Sequence, residues 1–283
     1  MRKITFSRHL LTQLIFLLVG LFILIPVWST FRLAFDGSLR GRPTEFTWLP
    51  KEFSVEAFTA VLDRPYQSVE FSVLLRNSMI VSIGAAILAI LLGISLAYGF
   101  ARFRFPAKET GLFVLLLAAL LPPIAFATPL YIILSLLKLR TTLIGLVIVY
   151  AAFAMPFAVW NMRAAFQAIP KEVEEAAYLD GASHFQTFLN ISLPISLPSI
   201  SVTAMIAFLM GYTEFAIGWL FVDKADNVTL SMATYALVAG QFSGAQSWSY
   251  LGSLAIIMSI PVMVIFILFQ ETLMERLLFQ ETS

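Results

Sequence analysis

The sequence predicts an all-α polytopic membrane protein with six transmembrane helices, and three observations lead to this fold class. Of 283 residues, 59% are hydrophobic and 12% are charged, with a mean hydropathy of +0.88. The apolar residues form long runs without charge, and a helix of about 20 such residues crosses roughly 30 Å of hydrocarbon. These runs are also longer than the alternating strands of a membrane barrel, which favours helices.

The predicted spans cover residues 10–31, 77–101, 110–137, 141–162, 193–222 and 250–270. The first follows a basic start, as a signal peptide does. Its apolar run is longer than a signal core and no small-residue cleavage site follows it, so we interpret it as a retained span. The whole chain, 1–283, is predicted to be a single transmembrane domain. A surface loop, 168–192, separates the fourth and fifth spans.

Two patterns inside the spans concern helix packing. Pro122 and Pro123 fall within the third span, where they indicate either an ordinary kink or a hinge beside a pathway. The second span carries a small residue at every fourth position, which predicts one stripe that a neighbouring helix approaches closely. The stripe consists of Ala85, Ala89, Gly93, Ala97 and Ala101.

Several kinds of chemistry are disfavoured by the residues that the sequence lacks. There is no cysteine, there are two histidines and there is no HExxH motif, so we predict no catalytic residue and no metal site. A net charge of +1 gives no basis for nucleic-acid binding. There is no GxxxxGK[ST] phosphate loop, so ATP would have to be bound elsewhere. An ion-coupled secondary transporter remains the alternative, although it would normally need several carboxylates inside its spans.

Loop 168–192 predicts two short helices joined at a glycine. Pro170 suits the first position of a helix, and Glu172, Glu174 and Glu175 would face the positive end of its dipole. Gly181 would end that helix in the left-handed conformation, after which Ser183 and Gln186 fit a capping box. The small apolar face suits insertion into a cleft on another protein, and an amphipathic linker on the membrane surface is the alternative.

The same loop carries a pattern that resembles the signature loop of permease subunits in bacterial and archaeal ABC importers. The matching residues are Glu175, Ala176, Ala177, Asp180, Gly181, Ile191, Leu193 and Pro194. LRNS at 75–78, SLAYGFAR at 95–102 and YTE at 212–214 are similar as well. The resemblance begins near residue 70 and is nearest to the MalG-like permeases of carbohydrate importers. The C-terminal residues 275–283 depart from the Gly/Ala-rich tail of such relatives, so no tail contact is carried over.

The resemblance implies a mechanism and a set of partners. The loop would be a cytoplasmic coupling helix in the groove of an ATPase subunit. A MalF-like second permease, two ABC ATPase subunits that bind ATP and Mg²⁺, and an extracytoplasmic sugar-binding protein would complete the transporter in the inner membrane. With six spans, nine of the 18 Lys and Arg residues lie on each side of the membrane. Their local density favours cytoplasmic termini, which agrees with a cytoplasmic coupling helix.

Five side chains inside the spans are candidates for lining a sugar pathway. They are Glu214, Tyr212, Trp219, Tyr150 and Asn161. Polar groups hydrogen-bond to sugar hydroxyls and aromatic rings stack on sugar faces, but such residues are also common in membrane proteins. For Glu214, the one acid well inside a span, a structural pairing with a polar group such as Tyr212 or a neighbouring chain is the other interpretation.

Overall fold

The computed structural model describes residues 6–39, 41, 43–238 and 247–280, with side chains for 8–39, 41, 43–237 and 248–270. Within these ranges the regular structure is helical. The helices are α1 (Phe6–Ala34), α2 (Glu56–Asp63), α3 (Phe71–Arg102), α4 (Lys108–Leu120), α5 (Ala127–Leu136), α6 (Leu143–Ala168), α7 (Lys171–Leu179), α8 (His184–Thr187), α9 (Leu193–Thr213), α10 (Ala216–Phe221), α11 (Leu230–Val238) and α12 (Ser247–Gln280). The tail residues 275–283 lie outside the described side chains.

Five helical segments are long and apolar enough to cross a membrane by length and composition. They are Arg8–Ala34, Phe71–Arg102, Leu143–Ala168, His184–Thr213 and Trp248–Gln270. A sixth span results if α4 and the helical segment after it are counted together. The predicted all-α membrane fold class is confirmed, and several helices extend beyond the charge-free runs that the sequence marked.

The third predicted span, 110–137, is not one continuous helix, which corrects the sequence interpretation. α4 ends at Leu120 and the chain resumes as a 3₁₀ turn at Pro123–Phe126 and then α5, with a bend of 103°. Pro122 is extended, with ψ of 135°, as a residue before proline prefers. The proline pair therefore breaks the helix rather than kinking it.

The fifth predicted span, 193–222, also differs from a single helix. Its helix starts earlier, because α8 runs through a π-helical turn, Phe188–Ser192, directly into α9. It also ends earlier, at Thr213. Glu214 is extended there, and the short helix α10 follows. Glu214 therefore lies between the two helices, and its carboxylate accepts hydrogen bonds from backbone N–H groups of α10.

One compact unit of the chain comprises residues 72–233 and 261–283. Its core forms where the stripe of small residues on α3 meets α6: a Cβ on Gly93 would lie 2.8 Å from the Met162 methyl carbon and 3.3 Å from the Ala158 Cβ. A Cβ on Gly211 of α9 would lie 3.2 Å from the Ser82 Cα of α3. Small residues therefore bring these helices into close contact, as the spacing predicted.

The other unit comprises residues 1–71 and 234–260. At the end of α1, the Ser249 hydroxyl of α12 donates to the Asp36 carbonyl at 2.8 Å, and Ser253 donates to the Ala34 carbonyl at 3.3 Å. The buried Asp36 carboxylate accepts hydrogen bonds from the Ser38 hydroxyl and from the Lys51 backbone N–H. These contacts fix the segment that follows α1.

Candidate functional site

Helix α7 and the turn after it have the local structure that loop 168–192 predicted. Gly181 has φ of +85°, and its N–H donates to the Tyr178 carbonyl while the Ala182 N–H donates to the Ala177 carbonyl. This pair of bonds is a Schellman motif, which ends a helix at a left-handed glycine. Pro170 is the N-cap of α7 rather than its first helical residue.

The second half of the loop begins with the predicted capping box. The Gln186 N–H donates to the Ser183 hydroxyl at 3.3 Å, and the Gln186 side-chain oxygen accepts from the Ser183 N–H at 2.8 Å. Across the turn, the Tyr178 hydroxyl lies 3.0 Å from His184 Nδ1, which ties the two helices together. The sequence therefore builds a helix–glycine–helix element with a defined angle at Gly181.

An ion pair that sequence reasoning missed attaches α7 to the membrane helices. Arg102 Nε, at the end of α3, lies 2.8 Å from Glu174 Oε2, and an Arg102 terminal nitrogen donates to the Ile169 carbonyl at 2.9 Å. The Ser192 hydroxyl donates to the other Glu174 oxygen at 2.6 Å. Both charged side chains are at most 10% exposed. We call these three residues the Arg102–Glu174–Ser192 junction.

The π-helical turn places Ser192 in this junction. A π turn inserts one residue, which rotates the following helix by about 100° relative to the preceding turn. Nearby, the ring of Tyr98 packs on Phe166 and Phe188, with centroids 5.3 and 4.7 Å away. The junction therefore lies against an aromatic part of the core, away from bulk water, where electrostatic attraction is stronger.

The motif residues divide between an inner and an outer face of the loop. Ala177 packs inward with Glu174, whereas Ala176, Glu175, Asp180 and Gly181 are exposed. The inward face of α7 is thus centred on a carboxylate. The small apolar face expected from the sequence is divided, because Val173 and Ala176 are exposed whereas Ala177 is buried. Among the remaining motif residues, Ile191 and Leu193 are half-buried and Pro194 is exposed.

The outer face of the loop is apolar at its tip. Leu179, two residues before Gly181, is 89% exposed, and Phe185 beyond the turn is 68% exposed. Leu189 and Val173 are partly exposed at 41% and 39%. An apolar surface of this kind on a rigidly held helix pair is typical of a protein-binding site.

Four of the five candidate pathway residues lie around the broken helix α9–α10. The Glu214 carboxylate accepts hydrogen bonds from the Ile217 and Gly218 backbone N–H groups, at 2.9 and 3.2 Å. It therefore caps the first turn of α10 from the position before the N-cap residue, Phe215, a role that the sequence interpretation did not consider. Tyr150 packs its hydroxyl against Gly218, and Trp219 donates its indole N–H to the Met232 carbonyl at 3.0 Å.

Tyr212 and Asn161 are held by other contacts. The Tyr212 ring stacks on Phe208, with centroids 5.4 Å apart, and its carbonyl accepts from the Ser231 hydroxyl. Asn161 lies apart from the other four, where its amide donates to the Thr203 hydroxyl at 2.5 Å and joins α6 to α9. Each of the five candidates has packing or hydrogen-bonding contacts within this chain. Their assignment to a pathway stays a prediction.

Segment 222–230 is attached at both of its ends by residues that the sequence analysis did not single out for this role. The Asn77 amide donates to the carbonyls of Asp226 and Val228, at 2.7 and 2.9 Å. The Thr141 hydroxyl accepts from the Asp223 and Lys224 N–H groups, at 2.8 and 3.1 Å. Asn77 belongs to the LRNS sequence noted above, whereas Thr141, with φ of +60°, carried no sequence indication.

Across the described residues, no three His, Asp or Glu side chains come together as a set of metal ligands. Within the described spans, the Glu214 carboxylate already accepts hydrogen bonds from backbone N–H groups. The arrangement therefore offers no support for an ion-coupled carrier, which needs a carboxylate that can exchange its partner. What the site does offer is an exposed apolar tip on a helix pair that is fixed to the membrane helices.

Known proteins share this architecture. The chain superimposes with a TM-score of 0.73 on a subunit of a bacterial ABC transporter involved in the import of the acidic polysaccharide alginate, at 16% identity, covering 96% of this chain and 99% of that one. This likeness concerns the fold.

Two relatives are similar in sequence. The trehalose transport system permease protein SugB of Mycobacterium tuberculosis is 30% identical over 211 residues, which is 73% of this chain and 75% of that protein. The trehalose/maltose transport system permease protein MalG of Thermococcus litoralis is 26% identical over 226 residues, 79% of each. Residues 89–278 match the family model described as binding-protein-dependent transport system inner membrane component. The chain belongs to this family of ABC importer permeases.

Proposed function

We propose that this chain forms, with a second MalF-like permease, the membrane pathway for a sugar or oligosaccharide of the maltose or trehalose type. The trehalose and trehalose/maltose systems of its relatives support a carbohydrate substrate. Its family supports delivery by a soluble binding protein outside the cell. The chain would then be a multi-pass subunit of a bacterial or archaeal inner membrane.

The observation that carries the proposed mechanism is the exposed apolar tip of the loop, formed by Leu179 and Phe185. We propose that this tip enters a groove on an ATPase subunit. Burying each of these side chains would contribute at most about 1.5–3 kcal/mol. The Arg102–Glu174–Ser192 junction behind the tip would pass the movement of the ATPase to α3 and α9.

This docking sets the orientation of the chain. The loop would lie in the cytoplasm, and both termini would lie on the same side. ATP and Mg²⁺ would be bound by two separate ATPase subunits, since the sequence has no phosphate loop. The chain itself would then hold no cofactor and catalyse no reaction.

The test is uptake into vesicles that contain both permeases, with the ATPase subunits on one side and the binding protein on the other. Radiolabelled maltose and trehalose should accumulate only when ATP is supplied on the ATPase side and the binding protein is present. Vesicles without the ATPase subunits are the control. Uptake that follows a proton or sodium gradient without ATP would contradict the proposal and support an ion-coupled carrier.

A further inference from the structure

The segment that follows α1 carries an exposed apolar tip, at residues 46–49. Phe46, Trp48 and Leu49 are 54%, 63% and 68% exposed, and the rings of Phe46 and Trp48 pack edge to face with centroids 5.0 Å apart. Charged residues flank the tip: Glu45 and Lys51 form an exposed ion pair at 3.4 Å. The segment is therefore amphipathic, with its charges outside a compact aromatic tip.

Two side chains on one face of α1 hold this tip. The Trp28 indole N–H donates to the Trp48 carbonyl at 2.8 Å. One turn later, Arg32 donates to the Thr47 hydroxyl at 2.7 Å and to the Thr47 carbonyl at 3.3 Å. Arg32 is itself buried and paired with Asp36 at 3.9 Å. The tip is therefore fixed against α1 rather than extending away from it.

These contacts determine the level of the tip relative to the hydrocarbon core of the membrane. The charge-free run 10–31 is centred near residue 20, and half of a hydrocarbon core of about 30 Å corresponds to roughly ten residues of helix. Its boundary then lies near residue 30. Trp28 lies about 9 Å along the axis before the end of α1 at Ala34. Trp48, bonded to Trp28, is at the level of this boundary.

We propose that residues 46–49 insert their aromatic tip into the lipid interface beside α1, so that this segment is a second membrane anchor. Trp rings prefer this level of a bilayer, since their apolar body contacts lipid while the polar part stays hydrated. The tip continues the exposed apolar surface of α1, which would face lipid as well. The flanking charges Glu45 and Lys51 remain in water.

The absence of cysteine in this chain allows a direct test by spin labelling. We would introduce Trp48→Cys and, separately, Leu49→Cys into the full transporter in lipid vesicles, with partner cysteines replaced. Glu45→Cys serves as the water control and Leu24→Cys, in the middle of α1, as the lipid control. Neither substitution at 48 or 49 removes the carbonyl that Trp28 binds, and retained transport shows that each variant is folded.

Collision of each label with oxygen and with a water-soluble nickel chelate reports its depth. Both tip labels should show an oxygen-to-nickel ratio several-fold above that of the label at 45 and below that of the label at 24. A ratio equal to that at 45 would show that the tip lies in water and would overturn the proposal. Low collision with both reagents would also overturn it, because the tip would then be covered by a protein partner.

Discussion

Arg102 and Glu174 form a buried ion pair between the end of α3 and the start of α7, with Nε and Oε2 2.8 Å apart. A buried charge is costly without its partner, and removal of one member of such a pair typically costs about 3–5 kcal/mol. The pair therefore connects the predicted docking helix to a membrane helix by a contact that is expensive to break.

We expect Glu174→Gln to destabilise the protein by roughly 3 kcal/mol, because it leaves the Arg102 charge buried and unpaired. In the assembled transporter, the number of sugars imported per ATP hydrolysed should fall as well. Thermal unfolding and the ratio of transport to ATP hydrolysis measure the two effects. Glu172→Gln, on the exposed face of the same helix, is the matched control. Equal behaviour of the two variants would refute the role of the junction.

Gly181→Leu should misdirect the turn between α7 and α8 and uncouple transport from ATP hydrolysis. A Cβ at this position would meet no atom within 4 Å, so the cost is that of φ at +85°, about 1–2 kcal/mol for a residue with a side chain. Transport and stimulated ATPase activity in vesicles give the measurement. Gly181→Asn, which tolerates this conformation, should retain more activity. Unchanged coupling in Gly181→Leu would show that the turn angle is irrelevant.

Asn77→Leu should release segment 222–230, because it removes the two donors that hold the Asp226 and Val228 carbonyls. Losing buried hydrogen bonds of this kind costs about 1–3 kcal/mol. Amide hydrogen exchange should become faster across 226–230. Asn161→Leu removes an amide that bonds to α9 instead, and should leave this segment protected. Equal exchange in both variants would argue against the contact.

Asp36 should make the structure around the end of α1 sensitive to acid. Burial raises the pKa of its carboxyl, but hydrogen bonds from the Ser38 side chain and from backbone N–H groups of residues 38, 51 and 52 outweigh burial, and the pKa lies below the ordinary value of 3.8. The unfolded chain binds the proton more readily, so this contribution is fully present above pH 3.8 and is lost as the pH falls through the lowered pKa.

The measurement is thermal stability of the purified chain as the pH is lowered from about 6 toward 2. Asp36→Asn should be less stable at neutral pH and should lose part of the acid dependence. If the wild-type chain and Asp36→Asn have parallel stability curves below pH 3.8 as well as above it, the carboxylate does not contribute as described.

Local patterns in the sequence predicted local structure well. Gly181 and the Ser183–Gln186 pair determine their turn and cap through bonds within a few residues, so their spacing was sufficient. The small-residue stripe on α3 predicted close packing because only short side chains allow two helix backbones to approach.

Contacts between distant residues could not be predicted in the same way. The sequence analysis considers Arg102 only as the end of the SLAYGFAR sequence and Glu174 only as a partner of a helix dipole, and neither interpretation includes the other residue. Their pairing depends on how α3, α7 and the π turn meet. The cap that Glu214 provides depends on a break in the fifth span, which a count of apolar residues does not reveal.

The most direct test of the account is photo-cross-linking from position 179 in the assembled transporter. Leu179 is 89% exposed at the proposed docking tip, whereas Ala177 on the same helix is 7% exposed and faces inward. With a photoreactive amino acid in place of Leu179, we predict a cross-link to an ATPase subunit, and a much weaker one from position 177. A cross-link from 179 to the extracytoplasmic binding protein, or to no protein while transport is retained, would contradict the account.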